Sequence, residues 1–165
     1  MVSIEVPASL SFRHLLMRAL ARFCRALEQP SSFTDGVLSA AGEAFNNAVL
    51  HGASASNPNV VEVEISVEQE ALVLRICDYG SGFTLADQPV ITDIPGLSGL
   101  DNVDGPEDLD ETAVNLLPES GMGLYIMRAC MPEVTYQPGA PNVLSMRKPL
   151  IPTPGPRGGL SQHSA

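Results

Sequence analysis

The chain has 165 residues, 44% of them hydrophobic, enough to bury one core and to favour a single domain. Nine basic residues against nineteen acidic ones give a net charge of -10, which repels a phosphate backbone and argues against direct binding of nucleic acid. No window is long and apolar enough to span a bilayer, and the N-terminus lacks a basic region followed by an apolar run, so a soluble, unprocessed, cytoplasmic protein with no membrane partner is expected. Cys24, Cys77 and Cys130 are an odd set without a Cys-x-x-Cys, each inside an apolar segment, and read as reduced core thiols.

Val2 to Val6 alternates apolar and polar residues as a short strand, closed by Pro7. A helix follows from about Leu10 to Leu27, with Phe12, Leu16, Ala19, Leu20, Phe23 and Leu27 as its apolar stripe and Arg18, Arg22 and Arg25 opposite. Half of the eight arginines of the chain fall on this helix, which suits either a solvated face or a docking surface for an acidic protein partner. Pro30-Ser31-Ser32 interrupts the pattern, with Ser32 placed to cap the next helix and Asp35 to favour its first turn.

That second helix runs to about Gly52. Val37, Leu38, Ala41, Ala44, Phe45 and Ala48 share one broad face, and Glu43 and Asn47 lie one turn apart on its border. There an amide oxygen can join a Mg²⁺ shell while the carboxylate accepts a proton; an ordinary solvated edge uses the same residue types. Ala53 to Asn59 is a turn region. Val61, Val63, Ile65 and Val67 then alternate with Glu62, Glu64 and Ser66, and a tight Gln69-Glu70 connection without the usual glycine leads to Leu72, Leu74 and Ile76, the second arm of a hairpin. This arm runs into Asp78-Tyr79-Gly80-Ser81-Gly82, where the glycines let backbone approach a ligand and Asp78 can accept from an exocyclic amine such as adenine's; a simple strand-closing turn is the other reading.

Thr84 to Ser120 shows no strand signal, one short amphipathic helix near Pro106, and nine acidic residues with no lysine or arginine, which suggests a lid. Gly121-Met122-Gly123 opens a helix striped by Leu124, Met127 and Met131, offering free amides and a positive dipole end to phosphate. Two strands follow, Val134 to Gln137 and Val143 to Arg147, joined by a Pro-Gly turn. The expected organisation is one domain over 1–150, with a lid at about 84–120, and a disordered tail over 151–165.

The succession of Glu-x-x-x-Asn on a helix, a strand into Asp-x-Gly-x-Gly, a long lid and Gly-x-Gly into a helix resembles the GHKL or Bergerat-fold ATPases. The Glu43-to-Gly52 box and Ser120 to Val134 look like the anti-sigma factor serine kinases of the RsbW/SpoIIAB type. The resemblance implies an α+β two-layer sandwich with a mixed, mostly antiparallel sheet, helices on one face and a long ATP lid. It implies ATP and Mg²⁺ as cofactors, with Asn47 as metal ligand, Asp78 as adenine anchor, Gly80 and Gly82 beside the base, Gly121, Met122 and Gly123 along the phosphates, and Glu43 as general base. The implied partners are a sigma factor and an anti-anti-sigma protein of the STAS type, with a homodimer as an assembly common among such kinases. Two departures stand out: no lysine or arginine between Ile76 and Met127, and Gly139-Ala140 where the family carries a Gly-Thr near the last strand. A non-enzymatic module that regulates its partner by sequestration alone is the alternative. The catalytic part of a two-component histidine kinase fits poorly, since the chain leaves no room for a phosphoacceptor helix pair.

Overall fold

The computed structural model describes residues 1–52, 59–82 and 122–152, with the backbone only for Met122. The expected lid, Gly121 and all but the start of the expected tail lie outside these residues.

Strand β1 spans Val2–Pro7. A 3-10 turn at Leu10–Phe12 is capped by Ser9, whose Oγ accepts from the Ser11 N–H at 3.4 Å, and leads into α1, Arg13–Ala26. Leu16, Leu20 and Cys24 recur every four residues and are the buried side of α1. Helix α2 spans Ser31–Gly52 and starts differently from the capping reading. The Pro30 carbonyl takes the Thr34 N–H at 3.1 Å and the Thr34 hydroxyl at 3.3 Å, so Ser32 lies exposed within the helix and Asp35 falls outside its first turn.

Strands β2 (Val60–Glu68) and β3 (Ala71–Asp78) form the hairpin. Its two linking residues both take left-handed backbone conformations, Gln69 at φ 48° and Glu70 at φ 57°. This is the twist a two-residue hairpin demands, met here without glycine. Arg147 Nη2 donates to the Gln69 carbonyl at 3.3 Å and the Leu150 N–H to the Glu70 carbonyl at 2.8 Å, which holds the turn from outside. Helix α3 (Met122–Cys130) and strands β4 (Glu133–Gln137) and β5 (Asn142–Pro149) complete the described chain.

The sheet order is β1-β2-β3-β5-β4, and every neighbouring pair is antiparallel, a more uniform sheet than the mixed one expected. Period two sends Val61, Val63, Ile65, Leu72, Leu74, Ile76, Leu144 and Met146 to one face, where they are buried together with Phe33, Val37, Ala41, Ala44 and Phe45 of α2 and Met127 of α3. The alternate positions carry paired charges. Arg75 bridges Glu68 at 3.0 Å, and Arg147 bridges Glu133 at 2.8 Å. The two-layer sandwich read from the sequence is the observed architecture. Cys24 and Cys77 are buried free thiols and Cys130 is partly exposed. No described helix is long and apolar enough to cross a membrane.

Candidate functional site

Helix α2 packs against both the sheet and α3, and the side it turns to α3 carries Glu43 and Asn47. A Cβ placed on Gly123, in the first turn of α3, would lie 3.2 Å from Glu43 Oε2 and 3.5 Å from Asn47 Nδ2. The acid, the amide and the opening of α3 therefore meet at one spot. Glu43 and Asn47 are partly exposed, as the rim reading of α2 requires.

The second half of the site comes from the end of β3. Asp78 sits against the last turn of α2: a Cβ on Gly52 would come within 2.7 Å of its Cβ. Gly80 lies directly against His51 and Gly52, closer than any side chain permits, so the loop after β3 crosses the helix end only because that residue is glycine. Gly82 has φ +70°, a conformation natural to glycine, and its position is closed in by Asn142 Oδ1 and Tyr136 Oη.

Asn47 and Asp78 wall one pocket. Its described lining is Ala44, Asn47, Ala48, His51, Ile76, Asp78, Gly82, Tyr136 and Leu144: an apolar floor made roomy by two alanines, with a few polar groups aimed across it. The described space is tight, about 20 Å³, room for roughly one water. Gly82 lines the pocket. Gly80 does not, and serves the helix crossing instead. Gly121 and the Met122 side chain fall outside the described residues.

Sequence reasoning missed two members of the site. Tyr136 forms a wall of the pocket from β4. Asn142, only 2% exposed, donates to Asp78 Oδ1 at 2.8 Å and to the Gly80 carbonyl at 3.1 Å. The signal for Asn142 was there: it is in phase with Leu144 and Met146, so a β5 begun one residue earlier puts a polar side chain on the buried face. Ala140, at the departure from the family's Gly-Thr, is exposed in the turn before β5, and the Asn142 amide stands beside Asp78.

On the sheet face opposite to Asp78 the Cys77 thiol is pushed up first by burial and then by Glu62, Glu64 and Asp78. The Tyr79 hydroxyl, which donates to Glu62 Oε1 at 2.6 Å, is raised chiefly by that bond. Among the described residues no group of three or more His, Cys, Asp or Glu could hold a metal alone. A single amide ligand still suits Mg²⁺, which keeps several waters and takes the rest of its shell from phosphate oxygens. A larger concavity of about 610 Å³ runs along α1 beside Leu15, Arg18, Ala19, Ala21, Arg22 and Arg25. It contains none of the residues above, and one helix face cannot enclose a small ligand, so the pocket walled by α2, β3, β4 and β5 is the better candidate.

Comparison with known proteins agrees with this fold. The histidine kinase-like ATPase domain family matches residues 6–148. The serine-protein kinase RsbW of Bacillus licheniformis is 26% identical over 147 residues, covering 89% of this chain and 84% of its own. The kinase of the same name from Staphylococcus aureus strain MRSA252 is 26% identical over 149 residues, covering 89% and 85%. Among solved structures, the SiaB-SiaC complex from Pseudomonas aeruginosa gives a TM-score of 0.56 at 15% identity, covering 90% of this chain and 89% of that one. The RsbU and RsbW domains of Rv1364c from Mycobacterium tuberculosis give 0.55 at 13% identity; this chain is 91% covered and spans only 33% of that longer one. Both likenesses are of fold. By the match over nearly its whole length, the chain belongs to the histidine kinase-like ATPase domain family, the ATP-binding fold that its sequence resembled.

Proposed function

We propose that this chain is an ATP-dependent protein serine kinase that also sequesters a sigma factor, and that it phosphorylates an anti-anti-sigma protein of the STAS type. The observation that carries the reading is that Asn47 from α2 and Asp78 from the end of β3 wall one pocket, with Glu43 and Gly123 meeting at its edge. The RsbW kinases supply the choice of reaction, because the likeness spans most of both chains.

In this reading Asp78 accepts the exocyclic amine of adenine, and the apolar floor of Ala44, Ala48, Ile76 and Leu144 takes the ring. The first turn of α3, around Gly123, offers N–H groups to the phosphates, and Asn47 offers an amide oxygen to Mg²⁺. The bound ion neutralises phosphate charge, which matters here because the expected lid is acidic throughout. Glu43 takes the proton from the partner's serine hydroxyl as that oxygen bonds to the γ-phosphorus and the bond to ADP breaks. The exposed arginines Arg18, Arg22 and Arg25 on α1, without an ion pair among the described residues, suit docking of an acidic partner surface by a chain of net charge -10.

The test is incubation with γ-labelled ATP, Mg²⁺ and a STAS-type protein encoded in the same genome. Label appearing as phosphoserine on that protein supports the kinase. A stable complex without label supports the second reading, sequestration alone, which the absence of any lysine or arginine between Ile76 and Met127 favours.

A further inference from the structure

Asn142 is the first residue of β5 and stands opposite Asp78 in the antiparallel register. An asparagine 2% exposed on the buried face of a strand is costly unless every polar atom is served, and here each is. Its Nδ2 donates twice, to Asp78 Oδ1 at 2.8 Å and to the Gly80 carbonyl at 3.1 Å. Its Oδ1 accepts the Gly139 N–H at 3.1 Å. No N–H of the amide is left for a ligand, and Asn142 is absent from the pocket lining that includes Asp78 and Gly82. Whatever it does for a bound molecule, it does through Asp78.

The effect on Asp78 is specific. Oδ1 receives two protein donors, Asn142 Nδ2 and the Gly80 N–H, the latter at 2.9 Å. Among the described residues no hydrogen bond goes to Oδ2. The carboxylate is thus locked through one oxygen, leaving the other as an acceptor for a ligand. A purine bearing an amine at position 6 donates to such an oxygen, one bearing a carbonyl there opposes acceptor to acceptor, and one with only hydrogen there forgoes the bond.

We propose that Asn142 is the positioning residue that holds Asp78 for a 6-amino group, and so sets the preference of this site for ATP over purine nucleotides lacking that amine. This rests on the nucleotide reading given above. It also accounts for a strand opening on asparagine where the residues in phase with it are Leu144 and Met146.

The experiment compares calorimetric affinities for ATP and purine riboside 5′-triphosphate, each with Mg²⁺, in the parent protein and in Asn142→Leu, with thermal unfolding of both proteins. The parent is expected to prefer ATP by about tenfold or more. In Asn142→Leu the ratio should fall to within about twofold, with affinity for the analogue lacking the amine changed by less than about threefold. If both nucleotides weaken equally and the ratio persists, Asn142 has only a structural role and the proposal is overturned. A parent that binds both alike overturns it too, since Asp78 then does not read the amine. A parent that binds neither removes the nucleotide reading itself, a result distinguishable from the other two. Should Asn142→Leu not fold, Asn142→Ala, which shortens the side chain without adding bulk, is measured for the same ratio.

Discussion

Gly123 stands edge to edge with Glu43: a methyl group added to the glycine would meet Glu43 Oε2 at 3.2 Å and Asn47 Nδ2 at 3.5 Å. Alanine within a helix is better by about 1 kcal/mol than glycine, so Gly123→Ala should melt no lower than the parent. The same methyl crowds the acid and the amide, and Mg·ATP affinity should fall about tenfold. Calorimetry paired with a melting curve checks the split. A variant that binds as tightly as the parent would show that Glu43 and Asn47 do not depend on the α3 backbone.

The two rim residues of α2 should separate binding from transfer. Asn47→Ala is expected to lose most Mg·ATP affinity while folding normally. Glu43→Gln is expected to bind nucleotide within about threefold of the parent and to transfer phosphate at least about a hundredfold more slowly, the usual contribution of a general base. Single-turnover transfer to a STAS-type partner measures it, and an unchanged rate would remove Glu43 from the mechanism.

At the β2–β3 hairpin, Gln69 and Glu70 hold left-handed conformations that carry an energetic penalty for residues with a Cβ. Replacing the pair by Asn-Gly, the residues that take this turn most readily, should stabilise the fold by about 1 kcal/mol and raise the melting temperature by about 2–4 °C. Nucleotide affinity should not move, because the turn is at the end of the hairpin away from Asp78. A fall in melting temperature would mean that the contacts from Arg147 and Leu150 to the turn matter more than its backbone.

Glu68 gives a pH dependence of known sign. Hydrogen bonds from Arg75 first, and then from Ser66, hold its carboxyl below the ordinary 4.5. A depressed folded-state value means stability that is present above the unfolded value and lost as pH falls through the folded one. The stability gap between parent and Glu68→Gln should therefore be steady near neutrality and close as pH drops below about 4.5. Because the side chain is 46% exposed, the gap should also shrink in high salt. A denaturant series across pH reads both effects, and a gap constant down to pH 3 would contradict the assignment.

Much of the fold was legible because it is local. Alternation in Val61 to Val67 and Leu72 to Ile76 named the hairpin and its two-residue connection, and four-residue recurrence named α1 and α2. Glu43 and Asn47 were readable for the same reason, one turn apart on a helix border. The start of α2 was misread because Thr34 serves the Pro30 carbonyl, where the rule for caps looks to Ser32. The partnership of Asn142 with Asp78 joins residues 64 positions apart and follows from strand order, which no window of sequence contains. Tyr136 was invisible in the same way: its strand was expected, but not that β4 would border the pocket through β5.

In the proposed function Asp78, Asn47 and the opening of α3 surround one nucleotide. Titration of Mg·ATP into the parent and into Asp78→Asn, which keeps the size of the side chain but sets an amide where the acceptor carboxylate stands, tests it most directly. Saturable binding at one site is expected in the parent, with a loss of about tenfold or more in the variant. No binding by the folded parent, or equal binding by both proteins, would contradict it.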